Sequence, residues 1–158
     1  MARKKKKPAC LSAYDTALRF LTPKARTVRE VELKLDEGCY SEGEIMQAVE
    51  RLKDAGLLND EKYASDFIES RLNTKPVSKF RLREQLRGHF VPDDIIDDAL
   101  SSVPDDTELE NAVELVNKYT RQFNGQCEGD ELKKRVYSRL STRGFSHETI
   151  MKAMGEND

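Results

Sequence analysis

The sequence has 158 residues, of which 35% are charged and 37% hydrophobic, with no Trp. That balance fits a chain with much exposed surface and thin local cores. Lys and Arg number 27 against 29 Asp and Glu, a net charge of −2, so total charge gives no reason to expect nucleic-acid binding and the distribution matters more. No run approaches 18 apolar residues, which excludes a membrane-spanning helix.

The start, MARKKKKPAC, places five consecutive cations at Arg3 to Lys7 with no apolar stretch after them. It is therefore not a secretory signal. Residues 1–11 are expected to form a disordered basic arm. A first helix begins at Ser12, where Asp15 completes a weak capping box, and Pro23 stops it. Thr27 with Glu30 caps the next helix, and Ser41 with Glu44 the third. Gly56 supplies the left-handed residue that closes that third helix.

Asn59 or Asp60 caps the helix carrying Tyr63, Ala64, Phe67, Ile68 and Leu72, and Asn73–Val77 is a connector around Pro76. Ser78 starts a helix with Phe80, Leu82 and Leu86. Pro92 suits the first turn of the helix that ends near Leu100. Beyond Pro104, Thr107 and Glu110 form a further capping box. A link at 123–129 leads to a helix through Leu132, Val136 and Leu140, then to a last one with Ile150, Ala153 and Met154.

The apolar positions repeat in register. Val31, Leu82 and Val136 correspond, as do Leu35, Leu86 and Leu140, then Tyr40, Val91 and Phe145. Ile45, Ile96 and Ile150 follow, with Ala48, Ala99 and Ala153, and finally Val49, Leu100 and Met154. A period of about 50 residues marks one small unit used three times. The expected fold is all-α, with nine helices in three tandem three-helix, helix-turn-helix-like repeats, arranged as an elongated molecule. The boundaries fall at 12–58, 59–104 and 105–158.

Charge is distributed in blocks. The cations Arg71, Lys75, Lys79, Arg81, Arg83 and Arg87 face one acid, Glu84, within their stretch. From Pro92 to Glu110 there are eight acids and no cation. Lys133, Lys134, Arg135, Arg139 and Arg143 then come without an acid. Both basic blocks fall on middle helices, and Arg83 with Arg87, and Arg135 with Arg139 and Arg143, share helix faces. Repeated rows of this kind make these eleven residues the candidate surface for a polyanion or an acidic protein polymer. The plain alternative is a solvated helix face. The acids Asp93, Asp94, Glu108 and Glu110 lie in first turns, where they offset helix dipoles.

Signs of catalysis are lacking in the sequence. His89 and His147, the two histidines, fall in corresponding turns of units two and three without a neighbouring ligand set. There is no Walker-type loop, GxSxG, HExxH or CxxC. No cofactor or metal is expected, and the protein is not read as an enzyme. Cys10, Cys39 and Cys127 are unpaired in spacing and fit free thiols in a reducing, cytoplasmic setting.

The stretch GLLNDEKYASDFIESRL, Gly56 to Leu72, preceded by a helix-turn-helix containing YSEGEI, resembles the RecX family of regulatory proteins. Gly56, Leu57, Leu58, Asp60, Tyr63, Ala64 and Phe67 agree with that family's G-L-L-D-D-x-R-F-A segment. Leu82, Leu86, Ile95, Ile96, Ala99 and Leu100 match its second unit. The chain departs from the family at Thr74–Pro76, where Gly is common, and at Phe90 and Val91, where Gly-Val is common. The resemblance runs from about Ala17 to the C-terminus and implies three tandem three-helix repeats. It also implies binding to the RecA recombinase, above all to its filament on single-stranded DNA, with restraint of recombinase, ATPase and coprotease activities. On that reading a monomer contacts several protomers at once, with possible contact to single-stranded or duplex DNA. The rival reading is a stand-alone DNA-binding protein of tandem helix-turn-helix units, and a third is a protein scaffold.

Overall fold

A computed structural model describes residues 11–155, so the basic arm, residue 11 excepted, lies outside the described residues. Nine helices are present among the described residues, and no strand. They are α1 (Ala13–Leu21), α2 (Val28–Glu37), α3 (Glu42–Asp54), α4 (Asp60–Thr74), α5 (Lys79–Gly88), α6 (Asp93–Ser101), α7 (Asp105–Phe123), α8 (Gly129–Thr142) and α9 (His147–Ala153). Close helix packing is within the triplets α1–α3, α4–α6 and α7–α9.

Each triplet has its own core, because a three-helix unit of this length buries only the stripe of side chains its helices share. Val31 and Leu35 anchor the first core, Leu82 and Leu86 the second, Val136 and Leu140 the third. Leu35, Leu86 and Leu140 are each fully buried, so truncation of any one to Ala costs roughly 2–5 kcal/mol. The remaining repeated positions are buried or half-buried in all three copies. The tandem all-α architecture expected from the sequence is therefore present.

The turn after each middle helix is the same structure three times. Cys39, Phe90 and Gly144 occupy the left-handed region, at φ 60°, 61° and 87°. Their amides donate to Asp36, Arg87 and Ser141 carbonyls, each at 2.9 Å. The next amides, of Tyr40, Val91 and Phe145, reach back to the Leu35, Leu86 and Leu140 carbonyls at 3.3, 3.1 and 3.3 Å. This pair of bonds satisfies the last carbonyls of the helix and turns the chain sharply. Gly56 closes α3 in the same manner, with φ 70°.

The N-termini follow the expected caps at Ser12, Thr27, Ser41, Asn59 and Ser78. Thr107 does not act as one. α7 starts at Asp105 after Pro104 and has no side-chain cap bond, because proline fixes an extended-to-helix transition three residues earlier than the Thr107 hydroxyl would. Pro92 likewise precedes α6 instead of occupying its first turn. Leu11, counted with the arm in the sequence reading, is tied to unit one by the Tyr40 hydroxyl, which donates to its carbonyl at 3.0 Å.

Neighbouring units meet at two joints built alike. At the first, Thr27 Oγ1 donates to the His89 carbonyl at 2.7 Å, and the Val28 amide donates to Asp60 Oδ1 at 2.9 Å. At the second, Ser78 Oγ donates to the Arg143 carbonyl at 2.7 Å, and the Lys79 amide donates to Glu108 Oε1 at 3.2 Å. Thr27 and Ser78 are equivalent N-caps, and both are fully buried. The N-terminus of one middle helix is thus seated on the C-terminal turn of the next, aligning the two dipoles head to tail. In unit three the equivalent position is Leu132, and α8 instead extends one turn further to start at Gly129 with no side-chain cap. Unit three thus lacks the hydroxyl that seats units one and two on their neighbours.

Candidate anion-binding cleft

The eleven basic residues singled out by sequence separate into three groups. The first is paired with acids. Arg87 Nε lies 2.7 Å from Asp93 Oδ1, and Arg83 forms an ion pair with Asp97. Lys79 Nζ is 2.7 Å from Asp105, and Arg135 lies 3.1 Å from Glu131. Three acids of the block, Asp93, Asp97 and Asp105, are thus counter-charges for α5: α6 folds back along α5 and places Asp93 and Asp97 against its arginines. The Arg87 hydrogen bond holds the Asp93 carboxyl below the usual range, and Lys79 does the same for Asp105. Exposed pairs of this kind contribute little stability, and each carboxylate offsets part of the positive charge its α5 partner presents.

Arg71, Lys75, Arg81, Arg139 and Arg143 form the second group. They line a single cleft of about 450 Å³ between units two and three, with no acidic residue in its wall. Arg71 comes from the last turn of α4, Lys75 from the cap behind it, Arg81 from α5, and Arg139 and Arg143 from α8 and its C-cap. Not every member of the basic blocks is on a middle helix, since Arg71 and Lys75 belong to the first helix of unit two. Lys133 and Lys134 form the third group, exposed on α8 outside the cleft.

Aromatic rings support the cleft arginines where carboxylates do not. Arg71 lies over Phe67 at 5.0 Å, Arg143 over Tyr119 at 5.8 Å and Arg139 over Phe123 at 5.9 Å from the ring centroids. Such contacts hold a guanidinium in place while leaving its donors open. The wall also includes Gln85, whose side-chain oxygen is buried without a hydrogen-bond partner. Placed together in a partly enclosed space, five cations raise one another's affinity for any anion that enters.

The histidines serve the scaffold. His89 Nδ1 is 2.9 Å from Glu30 Oε1 across the first joint, and its ring lies against Tyr63 and Phe67 with centroids at 5.8 and 5.6 Å. This carboxylate partner stands 59 positions away, beyond what local spacing reveals. His147 pairs instead with the Tyr137 hydroxyl at 3.0 Å. The two do not occupy corresponding turn positions, because His89 caps α5 whereas His147 opens α9. Among the described residues no group of three or more His, Cys, Asp or Glu is placed to hold a metal ion, and no helix is long and apolar enough to cross a membrane. Cys39 and Cys127 are free thiols, and Cys10 lies outside the described residues.

Comparison with known proteins agrees with this architecture unit by unit. Residues 13–52 match the first three-helix domain of RecX, residues 59–100 the second and residues 106–154 the third. The regulatory protein RecX of Trichlorobacter lovleyi is 33% identical over 138 residues, covering 87% of this chain and 90% of its own. That of Chlorobaculum tepidum is 34% identical over 139 residues, covering 88% and 84%. The crystal structure of RecX from Lactobacillus salivarius superposes with a TM-score of 0.84 at 28% identity, covering 91% of this chain and 93% of that one. With all three units matched in order and the fold shared along nearly the whole length, the chain belongs to the RecX family of regulatory proteins.

Proposed function

We propose that this protein binds the RecA recombinase filament on single-stranded DNA and restrains its recombinase, ATPase and coprotease activities, and with them recombinational repair and the SOS response. Family membership supports this reading, and the observation that carries it is the repeated joint. Two equivalent seatings, Thr27 on the His89 carbonyl and Ser78 on the Arg143 carbonyl, fix three units in a defined succession. A monomer built in this way presents similar surfaces at fixed steps, so it can touch successive protomers of a helical polymer and gain affinity by multivalency. Contact across protomers would oppose filament extension and obstruct the groove in which a second DNA lies.

Direct touch with filament DNA belongs to the same reading. Stand-alone sequence readout is disfavoured by charge. In α6 the third helix of unit two exposes Asp93, Asp94, Asp97 and Asp98, which would meet phosphates with like charge in a major groove. The discriminating experiment is filament-dependent ATP hydrolysis with and without the full chain, paired with co-sedimentation on filaments. Suppressed hydrolysis with co-sedimentation supports the proposal. Unchanged hydrolysis at saturating protein rejects it.

A further inference from the structure

The cleft is built differently from a track for a long polymer. Its five cations are contributed by α4, the cap that follows it, α5, and α8 with its C-cap, and they converge on one volume of about 450 Å³. The one continuous arginine row on α5, Arg83 with Arg87, is already engaged by Asp97 and Asp93. A strand would be followed by a long row. Here only Arg139 and Arg143 share a helix face and the other three cations come from α4, its cap and α5, which suits a compact group carrying several negative charges. The volume is that of a small-molecule site.

The chemistry can be narrowed further. Four of the five cations are arginines, whose planar donor forks match phosphate oxygens two at a time. Gln85 also lines the space, and a side-chain amide can hydrogen-bond a sugar hydroxyl or a base edge. Apolar atoms of Pro76 and Val77 also line the space. We propose that this cleft binds an oligophosphate of the kind carried by a free nucleoside di- or triphosphate. Arg71, Lys75, Arg81, Arg139 and Arg143 hold the phosphates, and Gln85 faces the nucleoside. The site goes beyond filament binding and does not depend on it. Because it draws on helices of both units, an occupant would tie units two and three together.

The test uses the full chain without recombinase. Isothermal titration with ATP, inorganic tripolyphosphate, a short single-stranded oligodeoxynucleotide and a glutamate oligopeptide compares the four probes. ATP is expected to bind more tightly than tripolyphosphate, with both affinities falling as salt rises. Arg81→Ala with Arg139→Ala should weaken ATP binding at least tenfold, and Gln85→Leu should reduce the preference of ATP over tripolyphosphate. Arg83→Ala with Arg87→Ala, outside the cleft, should leave ATP binding within twofold. Arg81, Arg87 and Arg139 are exposed and Arg83 is half-buried, and circular dichroism verifies that the variants fold. Absence of ATP and tripolyphosphate binding overturns the proposal. So does equal binding of the glutamate peptide, or an oligonucleotide that alone binds in dependence on Arg81 and Arg139. Filament ATPase measurements remain a separate readout, so failure here and failure of the filament reading are distinguishable.

Discussion

Ser78 Oγ accepts the Arg81 amide at 3.1 Å and donates to the Arg143 carbonyl at 2.7 Å, so one hydroxyl caps α5 and fastens unit two to unit three. Ser78→Ala removes both bonds and leaves a part-buried carbonyl unpaired. The cap alone is worth about 1 kcal/mol, and the unpaired carbonyl adds about 1–2 kcal/mol. Urea denaturation is expected to show a loss of about 2–3 kcal/mol, and a similar loss for Thr27→Val. A change below about 0.5 kcal/mol in both would show that the joints do not contribute to stability.

Gly144 occupies the turn that receives that hydroxyl. A Cβ there would lie 2.7 Å from Phe80 Cδ1 and 2.9 Å from Ser78 Oγ, at a φ of +87°. Gly144→Ala is therefore expected to cost roughly 2–3 kcal/mol, part from the left-handed backbone and part from displacing Ser78. Adding Phe80→Ala should recover only the part due to the ring. Full recovery in the double variant would contradict the assignment to backbone and Ser78.

The equivalent turn positions in units one and two carry side chains in the same left-handed conformation. Cys39 is exposed and has φ 60°. Cys39→Gly relieves roughly 1–2 kcal/mol of backbone strain and gives back part of it as unfolded-state entropy. The expected net gain is about 0.5–1 kcal/mol in thermal or urea unfolding. Destabilisation by Cys39→Gly would mean that the thiol makes a contribution of its own.

Carboxyl titration should separate the two kinds of acid. Burial raises the Asp60 pKa, opposed by the Val28 amide hydrogen bond. Asp93, Asp105 and Glu148 are lowered, each first by a hydrogen bond from Arg87, Lys79 and Lys152 respectively. With its folded value above the unfolded one, Asp60 binds more proton when folded, so acidification through that interval adds stability from this group. The lowered acids act oppositely: their contribution is complete above the ordinary carboxylate range and is lost as pH falls through their folded values. Carbon-detected NMR titration should find Asp60 ionising at a higher pH than Asp93 and Asp105. Simultaneous titration of the three would refute this ordering.

Val31, Leu82 and Val136, with the columns that follow them, set the helices, and the caps at Thr27, Ser41 and Ser78 follow from side chains three or four positions away. Those interactions operate within one or two helical turns, so the linear order of residues already contains both partners. The repeat follows for the same reason: six apolar columns recur in register because each unit must bury the same stripe. The departure at Pro104 shows the limit, since that proline takes the start of α7 from the nearby Thr107 hydroxyl.

The sequence by itself thus determined the number of units, their helices and the existence of basic and acidic blocks. Tertiary structure alone decided which charges cancel. Arg83 meets Asp97 only because α6 folds along α5, and Lys79 meets Asp105 only at the second joint. Arg71, Arg81 and Arg139 share a cleft only because units two and three are seated together. Helix periodicity places a side chain around its own axis, whereas Coulomb interaction depends on distance in space, and that distance is set by how one unit rests on the next.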